Sequence, residues 1–307
     1  MDSKQKVIVL TGGLGNQLFQ LAAGLFATSA DRLVIEGNLG RPRLNSQNRP
    51  EIDSIDFPFK LNYRSLPLRG RFSKYLTTVL FKVSSKTFSS IVIQRLWLFL
   101  KSSALRFGLF ISDGVGYDPR LIANSDAKWI IGPFHCFRYL ESPTVSELMQ
   151  PMKPNFYPNW LKDLKEHSKT EKPIILHVRL SDYKNILELG ILTNSYYRNS
   201  LALAVKDFPN SRIWLFTDEE SLALRMLENS DYESMRIINY DPSDSAANLE
   251  AMRFGHCFVL SNSTFSWWGA SLAYSPNAKI FCPENWFKTK ENPKDLIPQN
   301  WIKVRNR

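Results

Sequence analysis

The chain has 307 residues, 44% of them apolar, and a formal net charge of +10. That is enough apolar material for roughly two packed domains, and it excludes a disordered chain. No stretch offers about 18 uninterrupted apolar residues, so no spanning helix is expected. The three cysteines (Cys136, Cys257, Cys282) are odd in number and none sits at zinc-type spacing, so reduced core thiols in the cytoplasm are expected.

Residues 7–10 read as a first strand, too short for the apolar region of a signal peptide. Residues 11–17, TGGLGNQ, form a Gly-rich turn into a helix over 18–28. Gly13 and Gly15 supply the G-x-G of a dinucleotide fingerprint, but Leu18 stands at its third glycine. The glycines more simply let backbone approach a ligand, with Asn16 and Gln17 as neighbours able to donate and accept. A second short strand covers 33–35, with Glu36 near where a ribose-binding acid would stand.

Residues 41–62, rich in Pro, Arg and Asn, read as an irregular loop. From 57 to 112 there are ten Lys or Arg and no Asp or Glu, which accounts for the whole charge excess. The same segment holds the apolar run 91–100, IVIQRLWLFL. Two readings stand: a globular helical region with solvated lysines, or peripheral contact with an anionic membrane surface. Nucleic acid is not expected, because zinc-finger, RNP-type and helix-turn-helix patterns are all missing. A strand over 128–131 leads through Gly132 and Pro133 to an aromatic stretch ending at Tyr139. Prolines 151, 154 and 158 mark a linker, dividing a first domain (1–160) from a second (161–307).

The second half alternates short apolar strands (174–178, 213–216, 235–238, 257–260, 279–282) with helices (196–206, 219–228, 246–254, 265–274). That alternation predicts an α/β domain with a doubly wound parallel sheet. Such sheets bind ligands at the carboxyl ends of their strands. His177, Arg179, Asp218 and residues 261–264 all fall there. Arg179 carries a rigid fork of donors suited to phosphate oxygens, and Asp182 could hold it from three residues on. The plainer reading is a surface ion pair worth at most about 1 kcal/mol. Residues 257–270, CFVLSNSTFSWWGA, stop a buried strand at small hydroxyl residues and restart as a helix, which makes either an ordinary N-cap or an anion cradle. Trp267 and Trp268 read as packing that fixes this helix. A G-x-S-x-G elbow is missing, and the four histidines (135, 167, 177, 256) lack ligand spacing. Asp218-Glu219-Glu220 suits a helix start better than a metal. A metal-independent reaction on a phosphate-bearing donor is the economical reading.

Six blocks in order, GGLGNQLFQ (12–20), HVRLSDY (177–183), FTDEE (216–220), NSTFSWWGA (262–270), PENWF (283–287) and IPQNWIKV (297–304), resemble those of glycosyltransferase family 11, the bacterial α-1,2-fucosyltransferases. The resemblance implies a GT-B-like fold of two Rossmann-like domains. It also implies inverting transfer of L-fucose from GDP-β-L-fucose to the 2-hydroxyl of a galactoside, as in O-antigen-like surface glycan synthesis, with no cofactor and no metal. Carried onto this sequence, Arg179 would bind the β-phosphate, and Ser263, Thr264 and Phe265 would surround it and the fucose. His177 and Asp182 would shape the site, Asp218 would stand on the donor side, and Gly13, Gly15, Asn16 and Gln17 would face fucose and acceptor.

Two positions depart from the family pattern. Leu180 and Ser181 stand where Arg-Gly usually follows the motif arginine, so phosphate affinity is either weaker or met by a lysine elsewhere, such as Lys184. Asn248 to Met252 replace an Asp-Leu-Tyr-Leu-Met pattern whose acid can read guanine, so that role falls to Glu250 or Asn248. Glu188 and His177 are the candidate bases, and a loose transition state needs no strong base. The expected partners are GDP-fucose and a galactoside or oligosaccharide acceptor, free or lipid-linked, with the enzyme cytoplasmic and, on the membrane reading of 57–112, peripheral at the inner membrane face. The alternatives are another acceptor or linkage, or a GDP-sugar-binding protein without catalysis.

Overall fold

The first apolar run forms a strand because β-branched residues fill a pleated surface that is covered on both faces. This strand, β1 (Lys6–Val9), is buried throughout. The computed structural model describes residues 5–38, 40, 42–64, 91–112, 116–123, 127–181, 183, 189–227, 235–239, 242–289 and 291–306. Asp182, Lys184, Glu188 and residues 65–90 of the basic segment lie outside the described residues. Two compact units emerge: Met1–Lys153 with Pro293–Ile297, and Pro154–Asn292 with Pro298–Arg307. The linker reading put the division at residue 160 and did not foresee that 293–297 return to the first unit.

In the first unit, β1 is the middle of a five-stranded parallel sheet. Its companions are β2 (Leu33–Glu36), β3 (Asn62–Tyr63), β4 (Leu109–Ile111) and β5 (Trp129–Ile131). The order is β3–β2–β1–β5–β4. The helix after β1 spans Leu14–Ala27, so it starts four residues before the sequence placed it. The reason is a cap that no local pattern reveals. The Glu51 carboxylate accepts from the Leu14 N–H at 2.5 Å, an acid at the positive helix end.

In the second unit, six parallel strands follow: β6 (Ile174–Val178), β7 (Ile213–Thr217), β8 (Arg236–Asn239), β9 (Cys257–Val259), β10 (Lys279–Pro283) and β11 (Ile302–Val304). Their order is β8–β7–β6–β9–β10–β11. The chain leaves β6 on one side for β7 and β8, then returns to β9 on the other side. The topological switch therefore lies between β6 and β9, where such sheets take ligands.

On one face of β6, Ile174, Leu176 and Val178 join a buried cluster with Tyr196, Tyr197 and Leu201 of the helix Asn194–Asp207. Each fully buried Leu, Ile or Val contributes about 1.5–3 kcal/mol. Behind β9, helix Thr264–Ser271 lies against helix Ser245–Arg253. Gly269 permits this, because a Cβ there would sit 2.9 Å from Met252 Cβ. Trp267 and Trp268 are fully buried, 5.3 Å apart between ring centroids, and Trp267 lies 5.6 Å from Trp301. Strands β3, β4 and β11 were not expected from the sequence; β3 lies at the edge of the Pro-, Arg- and Asn-rich stretch read as a loop, and β4 follows the apolar run read as helical. Among the described residues no helix is long and apolar enough to cross a membrane.

Candidate functional site

The parallel register pairs Val178 of β6 with Thr217 of β7, so the residues that follow each strand meet above the sheet. Asp218 collects four donors there. Arg179 Nε lies 3.2 Å from its Oδ2. The N–H groups of Leu180 and Ser181 donate at 2.9 and 3.2 Å, and the Ser181 hydroxyl also donates. Burial pushes the Asp218 carboxyl up, but the Ser181 hydroxyl, the Arg179 charge and the two N–H groups outweigh it, so its pKa is lowered. The side chains of Arg179 and Asp218 are 12% and 7% exposed. Tyr183 adds its ring 5.9 Å from the guanidinium.

Strand pairing brings Asp218 to Arg179 as a partner that local spacing did not suggest, and Asp182 lies outside the described residues. One expectation changes: Asp218 leaves the donor-binding set. Its oxygens are turned onto Arg179 and the loop, and a carboxylate beside a phosphate would repel it. It is a positioning residue.

His177 bridges the switch point. Its Nδ1 lies 2.8 Å from Ser261 Oγ, and its ring centroid is 6.4 Å from that of Phe265. Burial, aided by the Arg179 charge and opposed by Asp218, pulls its pKa down to about 3. A ring that stays neutral to such acidity is a poor general base, so His177 is corrected from catalytic candidate to a tie between β6 and β9.

Beyond β9, the loop is anchored from several sides. Asn262 Nδ2 donates to the carbonyls of Leu189 (3.1 Å), Gly190 (3.3 Å) and Trp286 (3.1 Å). Tyr183 and Tyr196 hydroxyls donate to the carbonyls of Asn262 (3.3 Å) and Leu260 (2.5 Å). Ser263 caps the helix, accepting from the Phe265 N–H at 3.3 Å. Ser263 is buried, while Thr264 and Phe265 are half-buried on the helix start. The capping reading of Ser263 therefore describes the structure, and Thr264 and Phe265 open the helix it caps. Beside Arg179, this start supplies N–H groups and the positive dipole end at one switch point.

The guanine-reading expectation fails on packing. Every residue of helix Ser245–Arg253 is buried. Glu250 Oε1 accepts from the Tyr157 and Tyr274 hydroxyls at 2.7 Å each, and Oε2 accepts from Arg253 Nη1 at 2.9 Å. Arg253 in turn donates from Nε to the Leu272 carbonyl at 2.9 Å and stacks 4.4 Å from the Tyr274 ring. This is a closed ion-pair network. Asn248 is fully buried, its amide donating to the Asp244 carbonyl at 2.9 Å, so it holds the entry to the helix.

In the first unit, the ends of β1 and β5 meet at that sheet's own switch point. Gly12 has φ +67°, and a Cβ there would lie 2.3 Å from Asn16 Nδ2. Asn16 Oδ1 lies 3.0 Å from His135 Nε2. His135 follows Phe134, a buried residue at φ +51°, a strained conformation of the kind kept at functional sites. Gln20 ties the strand ends together, donating to Thr11 Oγ1 (2.6 Å) and to the Gly132 carbonyl (3.3 Å). Gln17 is corrected to a structural role. It is fully buried, donates to the carbonyls of Gly12 (2.8 Å) and Arg43 (3.0 Å), and accepts from the Ile52 N–H (3.0 Å). Gly15 lies buried inside the helix, while Gly13 forms its extended cap. Glu51 already occupies the helix start, so the first loop is no phosphate site.

His135 was missed because it belongs to no motif block. The available signal was a Gly-Pro turn directly after a strand.

No protein-family model matches the chain. Over 296 residues it is 24% identical to the alpha-1,2-colitosyltransferase of Escherichia coli, covering 92% of each chain. Its fold is similar to that of the fucosyltransferase NodZ from Bradyrhizobium, with a TM-score of 0.50, 10% identity, and coverage of 89% of this chain and 94% of that one. NodZ alpha-1,6-fucosyltransferase co-crystallised with GDP gives a TM-score of 0.50 at 13% identity, over 89% and 93%. The fold is thus GT-B-like, built from parallel α/β sheets as the sequence implied.

Proposed function

We propose that the protein is a glycosyltransferase that moves L-fucose from GDP-β-L-fucose to the 2-hydroxyl of a galactoside with inversion, in the synthesis of a surface glycan. The observation that carries this is the pairing of Arg179, held by Asp218 at the end of β6, with the half-buried helix start Thr264–Phe265 after β9. Both stand at the switch point where a parallel sheet takes a diphosphate. Fold similarity to fucosyltransferases and the sequence similarity to a colitosyltransferase support it.

In this reading, the bond from the sugar C1 to the β-phosphate oxygen breaks while a bond from the acceptor oxygen to C1 forms. The electron pair leaves with GDP. Arg179 and the helix-start N–H groups meet the charge where it grows, without a metal. One such fixed, charge-assisted contact lowers the barrier by about 2–4 kcal/mol, roughly 30- to 1000-fold in rate. Asp218 and Tyr183 keep the guanidinium in place. The acceptor proton does not go to His177. Glu188, outside the described residues, remains the carboxylate to test as its base. Asn16, against which a Cβ on Gly12 would press, is the residue this reading assigns to the acceptor.

A second reading follows from the colitosyltransferase similarity: the same transfer with GDP-colitose, a donor that lacks the 3-hydroxyl of fucose. The test is incubation of purified protein with either donor and a panel of β-galactosides in the presence of EDTA. Fucosylated product and free GDP are expected. Transfer from GDP-colitose alone selects the second reading. GDP binding by folded protein with no transfer to any galactoside refutes both and leaves a nucleotide-binding module.

A further inference from the structure

A cavity of about 490 Å³ opens at the outer edge of the second unit's sheet. Among the described residues β8 is the outermost strand there, two strands from β6, and the cavity shares no lining residue with the site around Arg179. One wall is the helix Asn159–Glu171. On it Trp160, Asp163, Leu164 and His167 recur three and four residues apart and so share a face. The other wall is β8 with Arg236 and Ile238, and Asp244 stands beyond the strand's end. Leu164 and Ile238 are buried, while Trp160 keeps 36% of its surface exposed. Two of the polar groups are held in place. Arg236 Nη2 donates to Glu171 Oε1 at 2.6 Å, and Asp244 Oδ1 accepts from the Ala247 N–H at 3.4 Å.

The lining carries both signs of charge. An anion would meet Asp163 and Asp244, and a cation would meet Arg236. A neutral molecule with hydroxyl groups, which both donate and accept, opposes none of them. The volume suits one or two sugar rings, within the roughly 300–1,000 Å³ of small-molecule sites. An indole offers a flat apolar face to the C–H side of such a ring. We propose that the cavity is a saccharide-binding site, with Trp160 against a pyranose face and Asp163 and Asp244 accepting from its hydroxyls. The inference goes beyond the transfer reaction and does not rest on it. A second attachment point keeps a long glycan near the protein between encounters.

The test is fluorine NMR of the full chain carrying 5-fluorotryptophan, with the Trp160 signal assigned through Trp160→Phe. The probes are methyl β-galactoside, lactose and maltose, with GDP, inorganic phosphate and putrescine as controls. The Trp160 signal should shift with at least one saccharide, with a dissociation constant of roughly 1–50 mM, as suits a small ligand on an open site. Saturating GDP should leave that constant unchanged. Asp163→Ala should raise it at least fivefold with no change in melting temperature, because Asp163 is exposed. Should that variant melt early, His167→Ala serves instead, with the same loss expected. No shift of the Trp160 signal with any of the saccharides overturns the proposal, as does an equal constant in the variants. A shift given by GDP, phosphate or putrescine and not by the saccharides also overturns it and assigns the cavity to that chemistry.

Discussion

Replacing Asp218 by Asn separates a positioning role from direct donor contact. The carboxylate uses Oδ1 for the Leu180 N–H and Oδ2 for Ser181 and for Arg179 Nε. An amide keeps one acceptor oxygen and turns two N–H donors toward the other side. Whichever way it sits, one set of donors meets another donor. A hydrogen bond to a charged group contributes about 1.5–3 kcal/mol, so a stability loss of about 2–3 kcal/mol is expected. For catalysis the effect is indirect. Arg179 loses its anchor, and a misplacement of about 1 Å costs roughly 100-fold, or about 2.7 kcal/mol in kcat/KM. Arg179→Lys keeps the charge but loses the fork and should fall by at least roughly tenfold. If the two act as a unit, the double variant is scarcely worse than Asp218→Asn alone. The assay is kcat/KM for GDP-fucose in all four proteins, with folding checked by circular dichroism. Wild-type turnover in folded Asp218→Asn, or losses that simply multiply in the double variant, would refute the reasoning.

Other predictions follow from single contacts. Glu250→Ala leaves Arg253 buried with no counter-charge and should cost about 3–5 kcal/mol in denaturant unfolding, while folded Glu250→Gln should bind GDP as wild type does. Tighter or weaker GDP binding by Glu250→Gln would restore it as a base reader. His177 has a folded pKa of about 3 against an ordinary 6.5, so its stabilisation is complete above pH 6.5 and is lost as pH falls toward 3. Between pH 7.5 and 5 that group alone should remove about 2 kcal/mol, and the stability difference between wild type and His177→Gln should show this slope. A pH-independent difference contradicts the buried neutral ring. Gly12→Ala forces a Cβ against Asn16 and should raise the acceptor KM with little change in GDP affinity, read by initial rates and calorimetry.

The second unit was legible because its strands are long enough, and alternate regularly enough with helices, to announce a parallel sheet. From that alone the strand-end positions of Arg179 and of the 261–264 turn followed. What hid was everything set by pairing between distant segments. Asp218 reaches Arg179 through the β6–β7 register, a contact across 39 residues that no local pattern shows. Gln17 and Glu250 looked like ligand contacts because they are polar and lie beside motifs. Their burial depends on Arg43 and Ile52 in one case and on Tyr157, Arg253 and Tyr274 in the other, which no local pattern connects. The early start of the first helix has the same origin in Glu51. The strand–turn–helix of 257–270 bears out its capping reading, with Ser263 as the cap, while the anion-cradle reading of its helix start stays part of the proposed function.

The central claim is inverting transfer to a galactose 2-hydroxyl, and the most direct test is the structure of the product. Wild-type protein, GDP-fucose and a β-galactoside should give a single product whose NMR spectrum shows an α-anomeric fucose, with the linkage correlation to galactose C2. A β-anomer, or a fucose joined at any other galactose position, would contradict the account.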